Sequence, residues 1–154
     1  CHPRVPRKGA TIYGRILWAH DRSELAESAT PHVVALARAF GSLVIVCSVI
    51  ELDEGIGATE TRLAEGIVSS EALDRAAEEL RAQGVEHVRT LVVQGLPGRA
   101  VADTARTEDV QLIVVTTRAR GGVARAFAGS VSDEVSRSTP GIPVFVVHPN
   151  ADNE

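Results

Sequence analysis

The residues best suited to chemistry in this chain lie where an apolar run meets a basic loop and then a helix opening. Leu112-Ile113-Val114-Val115 leads into Thr116-Thr117-Arg118-Ala119-Arg120-Gly121-Gly122, and after a short apolar stretch comes Gly129-Ser130-Val131-Ser132-Asp133-Glu134-Val135. The first amides of a helix have no intrahelical partner and sit at the positive end of its dipole, so they attract an anion. Arg118, Arg120 and Arg125 stand near that helix start and can add charge-assisted hydrogen bonds of the kind phosphate accepts. The chemistry on offer is anion binding. Gly129-Ser130 is also an ordinary helix opening and the arginines an ordinary solvated face, so both readings stand at this point.

Other reactive side chains point less far. His20-Asp21-Arg22-Ser23 holds the residue types of a hydrolytic triad, but neighbours in sequence cannot converge on one site with triad geometry. His20, His87 and His148 have neither an i,i+4 partner nor cysteines at zinc-binding spacing, so no metal is expected. Neither Gly-x-Gly-x-x-Gly nor a Walker loop occurs, and His20-Asp21-Arg22-Ser23 is a poor phosphate loop for a flavodoxin-like electron carrier. Two cysteines make no disulfide framework, and Cys47, inside Leu43-Val44-Ile45-Val46-Cys47-Ser48-Val49-Ile50, reads as a small core residue. Trp18 reads as core as well.

A chain of 154 residues fits one domain with a real core. Hydrophobic residues make up 44% but aromatics only 3%, so that core must be aliphatic. The net charge of −4, with both signs mixed along the chain, weighs against a nucleic-acid partner. No apolar run approaches the roughly 20 residues of a membrane helix. Residues 1–11 carry a basic flank with no apolar segment behind it and read as a disordered tail; 149–154 read as a short C-terminal tail. The absence of methionine suggests a trimmed or incompletely recorded start, and the cytoplasm is the expected compartment.

Dense apolar runs alternate with helical periodicities, the pattern of βαβ units and a parallel sheet. Ile12 to Ala19 reads as the first strand. Asp21 or Ser23 can cap the next helix, with Asp21 and Glu24 at capping-box spacing, and Leu25, Ala29, Val33, Leu36 and Phe40 form its apolar face. Pro31 either kinks that helix or restarts it with Thr30 as cap, and Gly41 ends it. Leu43 to Ile50 is a second strand, apolar on both faces, and Glu51 to Glu60 an acidic mobile loop. A helix from Arg62 to Gln83 presents Leu63, Ile67, Leu73, Ala77 and Leu80, with Gly84 closing it. Val85 to Val93 is the third strand, Leu96-Pro97-Gly98 opens a helix through Val101 and Ala105, and Leu112 to Val115 is the fourth strand. Gly129 to Arg137 is the last helix and Val144 to Val147 the fifth strand. In such a sheet ligands bind beyond the carboxyl ends of the strands, which gathers Ala19-His20-Asp21, Val49-Ile50 and Thr116 to Ser130 around one crevice.

Four segments together resemble the universal stress protein family. They are Arg15 to Ser23, with an Asp-Gly-Ser-type turn; Ser42 to Val49; Gln94 to Gly98 followed by Asp109 to Val115; and Gly129 to Val135 with Pro143 to Val147. The likeness runs from about Ile12 to His148. It implies an α/β fold, an open five-stranded parallel sheet with helices on both faces of the adenine-nucleotide alpha hydrolase-like, Rossmann-like kind, paired into a homodimer through the last strand. It further implies a stress-response module without enzymatic activity or, alternatively, a sensor that binds ATP, AMP or cyclic AMP with weak or no hydrolysis. By the resemblance Asp21 contacts the nucleoside, Val49 the adenine, and Gly129, Ser130 and Val131 the phosphate, with Ala19, His20 and Arg118 lining the same crevice.

Nucleotide-binding members carry Gly, two residues, Gly, nine residues, then Gly and Ser or Thr. Aligned on Gly129-Ser130, the first two glycines fall on Thr116 and Ala119. Glycine permits positive φ and close approach of a phosphate, whereas a side chain forced left-handed costs roughly 1–2 kcal/mol. A loss of about 1.4 kcal/mol is a tenfold drop in affinity, so the two substitutions predict weakened triphosphate binding with a monophosphate or smaller anion retained.

Overall fold

The computed structural model describes residues 12–51, 58–117 and 130–149. Strands and helices alternate along them: β1 (Arg15–Ala19), α1 (Glu24–Glu27), α2 (Thr30–Phe40), β2 (Leu43–Ile50), α3 (Ala58–Ala82), β3 (His87–Gln94), α4 (Pro97–Thr107), β4 (Leu112–Thr116), α5 (Ser130–Ser138) and β5 (Val144–Val147). All five strands join one parallel sheet in the order β3-β2-β1-β4-β5. This is the open α/β architecture that the alternation predicts. The chain winds one way from β1 through β3 and the other way from β4, so the switch point lies between β1 and β4.

Strand residues alternate between faces, and the two faces bury different helices. Ile16, Trp18, Val44, Val46, Leu112 and Val114 pack with Val33 and Ala37 of α2 and Leu73 and Leu80 of α3. Leu17, Ile45, Cys47, Ile113 and Val115 pack with Val101 and Ala105 of α4 and Val135 of α5. Burial on both sides explains why β2 and β4 read as nearly unbroken apolar runs. Burial also pushes the Cys47 thiol up to about 12, which fits a small packing residue and not a nucleophile. On the second face α4 and α5 approach closely: a Cβ built at Gly98 would lie 3.0 Å from Glu134 Cβ and overlap its carboxylate.

Several boundaries differ from the sequence reading for identifiable reasons. β1 begins at Arg15, not Ile12; Ile12 is 68% exposed and Tyr13 stacks edge-on against Phe40 before the strand starts. Pro31 does restart the helix, but Ala29 is the N-cap, no side chain closes it, and Thr30 already lies inside α2. Gly41, at φ 61, ends α2 as expected. α3 starts earlier than Arg62, at Ala58, so the acidic loop is shorter than expected; positions 52–57 lie outside the described residues. Its buried face is Ser69, Leu73, Ala77 and Leu80, whereas Leu63 and Ile67 are exposed by 66% and 62%. The cause is angle around the helix: at 3.6 residues per turn Gly66, which sits over Ile50 of β2, shares the stripe of Ser69, Leu73, Ala77 and Leu80, and Leu63 and Ile67 fall beside it.

Truncating Leu73 should therefore cost about 2–5 kcal/mol, as cavity-forming core substitutions do. Leu63→Ala, although on the same helix, should stay within about 0.5 kcal/mol of the parent. Urea denaturation of both variants checks this pair of outcomes.

Candidate functional site

Beyond Ala19 the ladder continues for one residue, since the His20 N–H donates to the Cys47 carbonyl at 2.7 Å. The chain then turns through Asp21-Arg22-Ser23. The Ser23 N–H donates to Asp21 Oδ1 at 3.0 Å, and the Ser23 hydroxyl donates to the same oxygen. Ser23 Oγ also accepts the Ala26 N–H at 3.2 Å, so Ser23 is the N-cap of α1. Of the two caps the sequence offers, Ser23 takes the role, and Asp21, which is exposed, closes the turn instead of a box with Glu24. Arg22 lies between them at φ 68, in the left-handed region that side chains avoid. That is the position of the glycine in an Asp-Gly-Ser turn.

His20 is 3% exposed and packs edge-on against Trp18, ring centroids 5.0 Å apart. Its Nδ1 accepts the Arg22 N–H at 2.9 Å. An accepting Nδ1 places the ring proton of the neutral imidazole on Nε2. Burial lowers its pKa below the ordinary 6.5, partly offset by Asp21 and Glu27, which favour the charged ring. The folded chain thus holds this proton less tightly than the unfolded one. Stability from His20 is present above about pH 6.5 and is lost as the pH falls through the lowered value. The triad types do not converge: the Ser23 hydroxyl is bonded to Asp21, and His20 Nδ1 to a backbone amide.

Alternation decides which candidates meet. Ala19 and Val49 pack with the α4–α5 layer at the carboxyl ends of β1 and β2. α5 opens on that same side with Ser130 and Val131, the latter 37% exposed. His20 and Thr116 belong to the opposite face. Trp18 pairs with Val46 and with Val114, so the next rung on its face holds Ser48, His20 and Thr116. Thr116 is the last residue of β4, paired with Val147, and its Oγ1 is buried without a partner among the described residues. Among the described non-glycine residues only Arg22 and Asp109 have positive φ. Thr116 therefore carries no left-handed strain, so the strain argument for weakened phosphate binding does not apply to it. Arg118, Ala119, Arg120, Gly121, Gly122, Arg125 and Gly129 lie outside the described residues.

Two features escaped the sequence reading. Arg22 in a left-handed turn was signalled by the spacing of Asp21 and Ser23, which is that of an Asx turn. Ser48 was hidden inside an apolar run, and only strand register reveals its alignment with His20 and Thr116. Among the described residues no three His, Cys, Asp or Glu side chains group as a metal site, and no helix is long and apolar enough to cross a membrane. A groove of about 540 Å³, lined by Tyr13, Asp109, Gln111 and Pro143 among others, lies at the amino ends of the strands and involves none of these candidates.

The profile of the universal stress protein family matches residues 12–148 of the chain. A universal stress protein of Thermus aquaticus is 33% identical over 141 residues, covering 88% of this chain and 99% of the relative. The structure of a universal stress protein from Archaeoglobus fulgidus in complex with dAMP is 28% identical, with a TM-score of 0.65 over 88% of this chain and 98% of that one. The fold also superposes on universal stress protein UspA from Lactobacillus plantarum, TM-score 0.77 at 20% identity, covering 88% of this chain and 97% of that one.

Relieving the turn should stabilise the protein. Arg22→Gly removes a left-handed side chain at the cost of some backbone entropy, for a net gain of about 1 kcal/mol. The expected rise in melting temperature is about 2–4 °C, read by differential scanning calorimetry.

Proposed function

The chain belongs to the universal stress protein family, and from that premise we propose that it is a non-enzymatic binding and regulatory module of a stress response. Its crevice takes an adenine monophosphate or a smaller anion in preference to ATP. The observation that carries this reading is the gathering of Ala19, Val49 and the start of α5 on one side of the sheet, beside the Asp21 turn at the β1–β4 switch point. The relative solved with dAMP supports an adenine ligand of that size. The amides opening α5 and the hydroxyl-bearing Ser130 suit one phosphate, and Ala119 in place of a glycine disfavours a longer chain of them. A catalytic role finds no support in His20, Asp21 and Ser23, whose hydrogen bonds serve the turn.

Thermal denaturation with AMP, cyclic AMP and ATP plus magnesium tests this. AMP at about ten times its Kd should add about 1.4 kcal/mol, a shift of about 3–5 °C. Asp21→Ala should abolish the shift. Ala119→Gly should strengthen ATP binding severalfold, and Thr116→Gly, within a regular strand, should not. A larger shift with ATP than with AMP in the parent would make the chain a triphosphate sensor, and no shift at millimolar concentrations would remove the nucleotide.

The proposal includes a homodimer through β5. Among the described residues that strand pairs only with β4, and Phe145 on it is 37% exposed, a large apolar side chain on an edge strand. Light scattering should give twice the chain mass for the parent and the single chain mass for Phe145→Arg. A monomeric parent would sink the dimer.

A further inference from the structure

We infer that His20 is a positioning residue whose protonation state sets the Asp21-Arg22-Ser23 turn, so that the crevice loses its ligand as the medium acidifies. The ligand part of this inference rests on the proposed function; the turn itself does not. Arg22 is held at φ 68 by what lies on either side of it. Its own N–H donates to His20 Nδ1 at 2.9 Å, and the following N–H, of Ser23, donates to Asp21 Oδ1 at 3.0 Å. Neutral imidazole offers a lone pair at Nδ1. Imidazolium has a proton there, so the Arg22 N–H would face a second donor and the bond would be lost.

The far side of the ring is built unlike its surroundings. Nε2 is buried without a partner among the described residues, and so are Ser48 Oγ, Thr116 Oγ1, Trp18 Nε1 and Ser69 Oγ. Register sets Ser48 and Thr116 on the same rung as His20, on neighbouring strands either side of it. Trp18 touches the ring, and Ser69 is fully buried on α3, one turn before Leu73, which packs in Trp18's cluster. An apolar sheet face thus carries two hydroxyls on the rung of one imidazole, with the Trp18 indole against the ring. The charged groups acting on it are Asp21 and Glu27, which favour imidazolium, and Arg22, which opposes it; β2 and β4 present only the neutral Ser48 and Thr116 on this rung. Desolvation outweighs the carboxylates, which sets the transition below pH 6.5.

The test follows nitrogen and amide resonances of the full chain by NMR from pH 8 to 5, with and without AMP. His20 should show a protonated Nε2 and a bare Nδ1 at neutral pH, and the Arg22 and Ser23 amides should move with the midpoint of the His20 ring. The affinity for AMP should fall about tenfold per pH unit below that midpoint, as it does when one proton abolishes binding. In His20→Asn the side-chain oxygen can accept from Arg22 but cannot titrate, so the turn should persist and only the ligand's own phosphate titration should remain. Arg22 and Ser23 amides that ignore the His20 midpoint overturn the inference, whether or not His20→Asn folds. The parent's affinity following the same pH curve as His20→Asn overturns it equally. If AMP binds at no pH while the amides still follow His20, the ligand assignment falls and the proton-controlled turn stands.

Discussion

The period of two along β1, β2 and β4 governs everything at the crevice. These strands lie inside the sheet with helices on both faces, so each side chain has one layer to enter and no third option. A residue shifted by one position would change sides. Ala19 and Val49 consequently meet α4 and α5, while His20, Ser48 and Thr116 enter the layer of α2 and α3. Ala19 and Val49 thus lie on one side of the sheet and the His20 rung on the other, with the Asp21 turn following at the end of β1. That division lets a buried histidine accept a hydrogen bond from the turn that carries an exposed carboxylate.

Much of this was legible in the sequence. The limits of β2 and β5 follow from uninterrupted apolar runs bounded by turn residues, and the end of α2 follows from Gly41, because those signals are local. The extent of α3 was not, because periodicity tells which residues share a face but not whether anything lies beneath it. Leu63 and Ile67 are four apart and share a face, but that face lies beside the stripe of Ser69, Leu73, Ala77 and Leu80 that the sheet covers, and both stay exposed. The break at Pro31 was readable, while its cap was not: Ala29 has no polar side chain to announce the position.

At the site, sequence reasoning grouped residues by adjacency, and the sheet regrouped them by parity. Ala19, His20 and Asp21 look like one cluster on paper, yet His20 points away from Ala19's layer and joins Ser48 and Thr116, neither adjacent to it in sequence. Glycine counting treated Thr116 as a damaged phosphate loop; its place in β4 makes it an ordinary strand residue with a buried hydroxyl. The real conformational irregularity, Arg22, sits at the other lip of the crevice.

A Cβ at Gly98 would displace the Glu134 carboxylate and press on its Cβ at 3.0 Å, so α4 and α5 meet closely there. A wedge there would lever α5 away from α4, and because α5 begins at the crevice, its leading amides would swing with it. A substitution in neither the α5 start nor the Asp21 turn would then displace the first residues of α5 while leaving their side chains chemically intact.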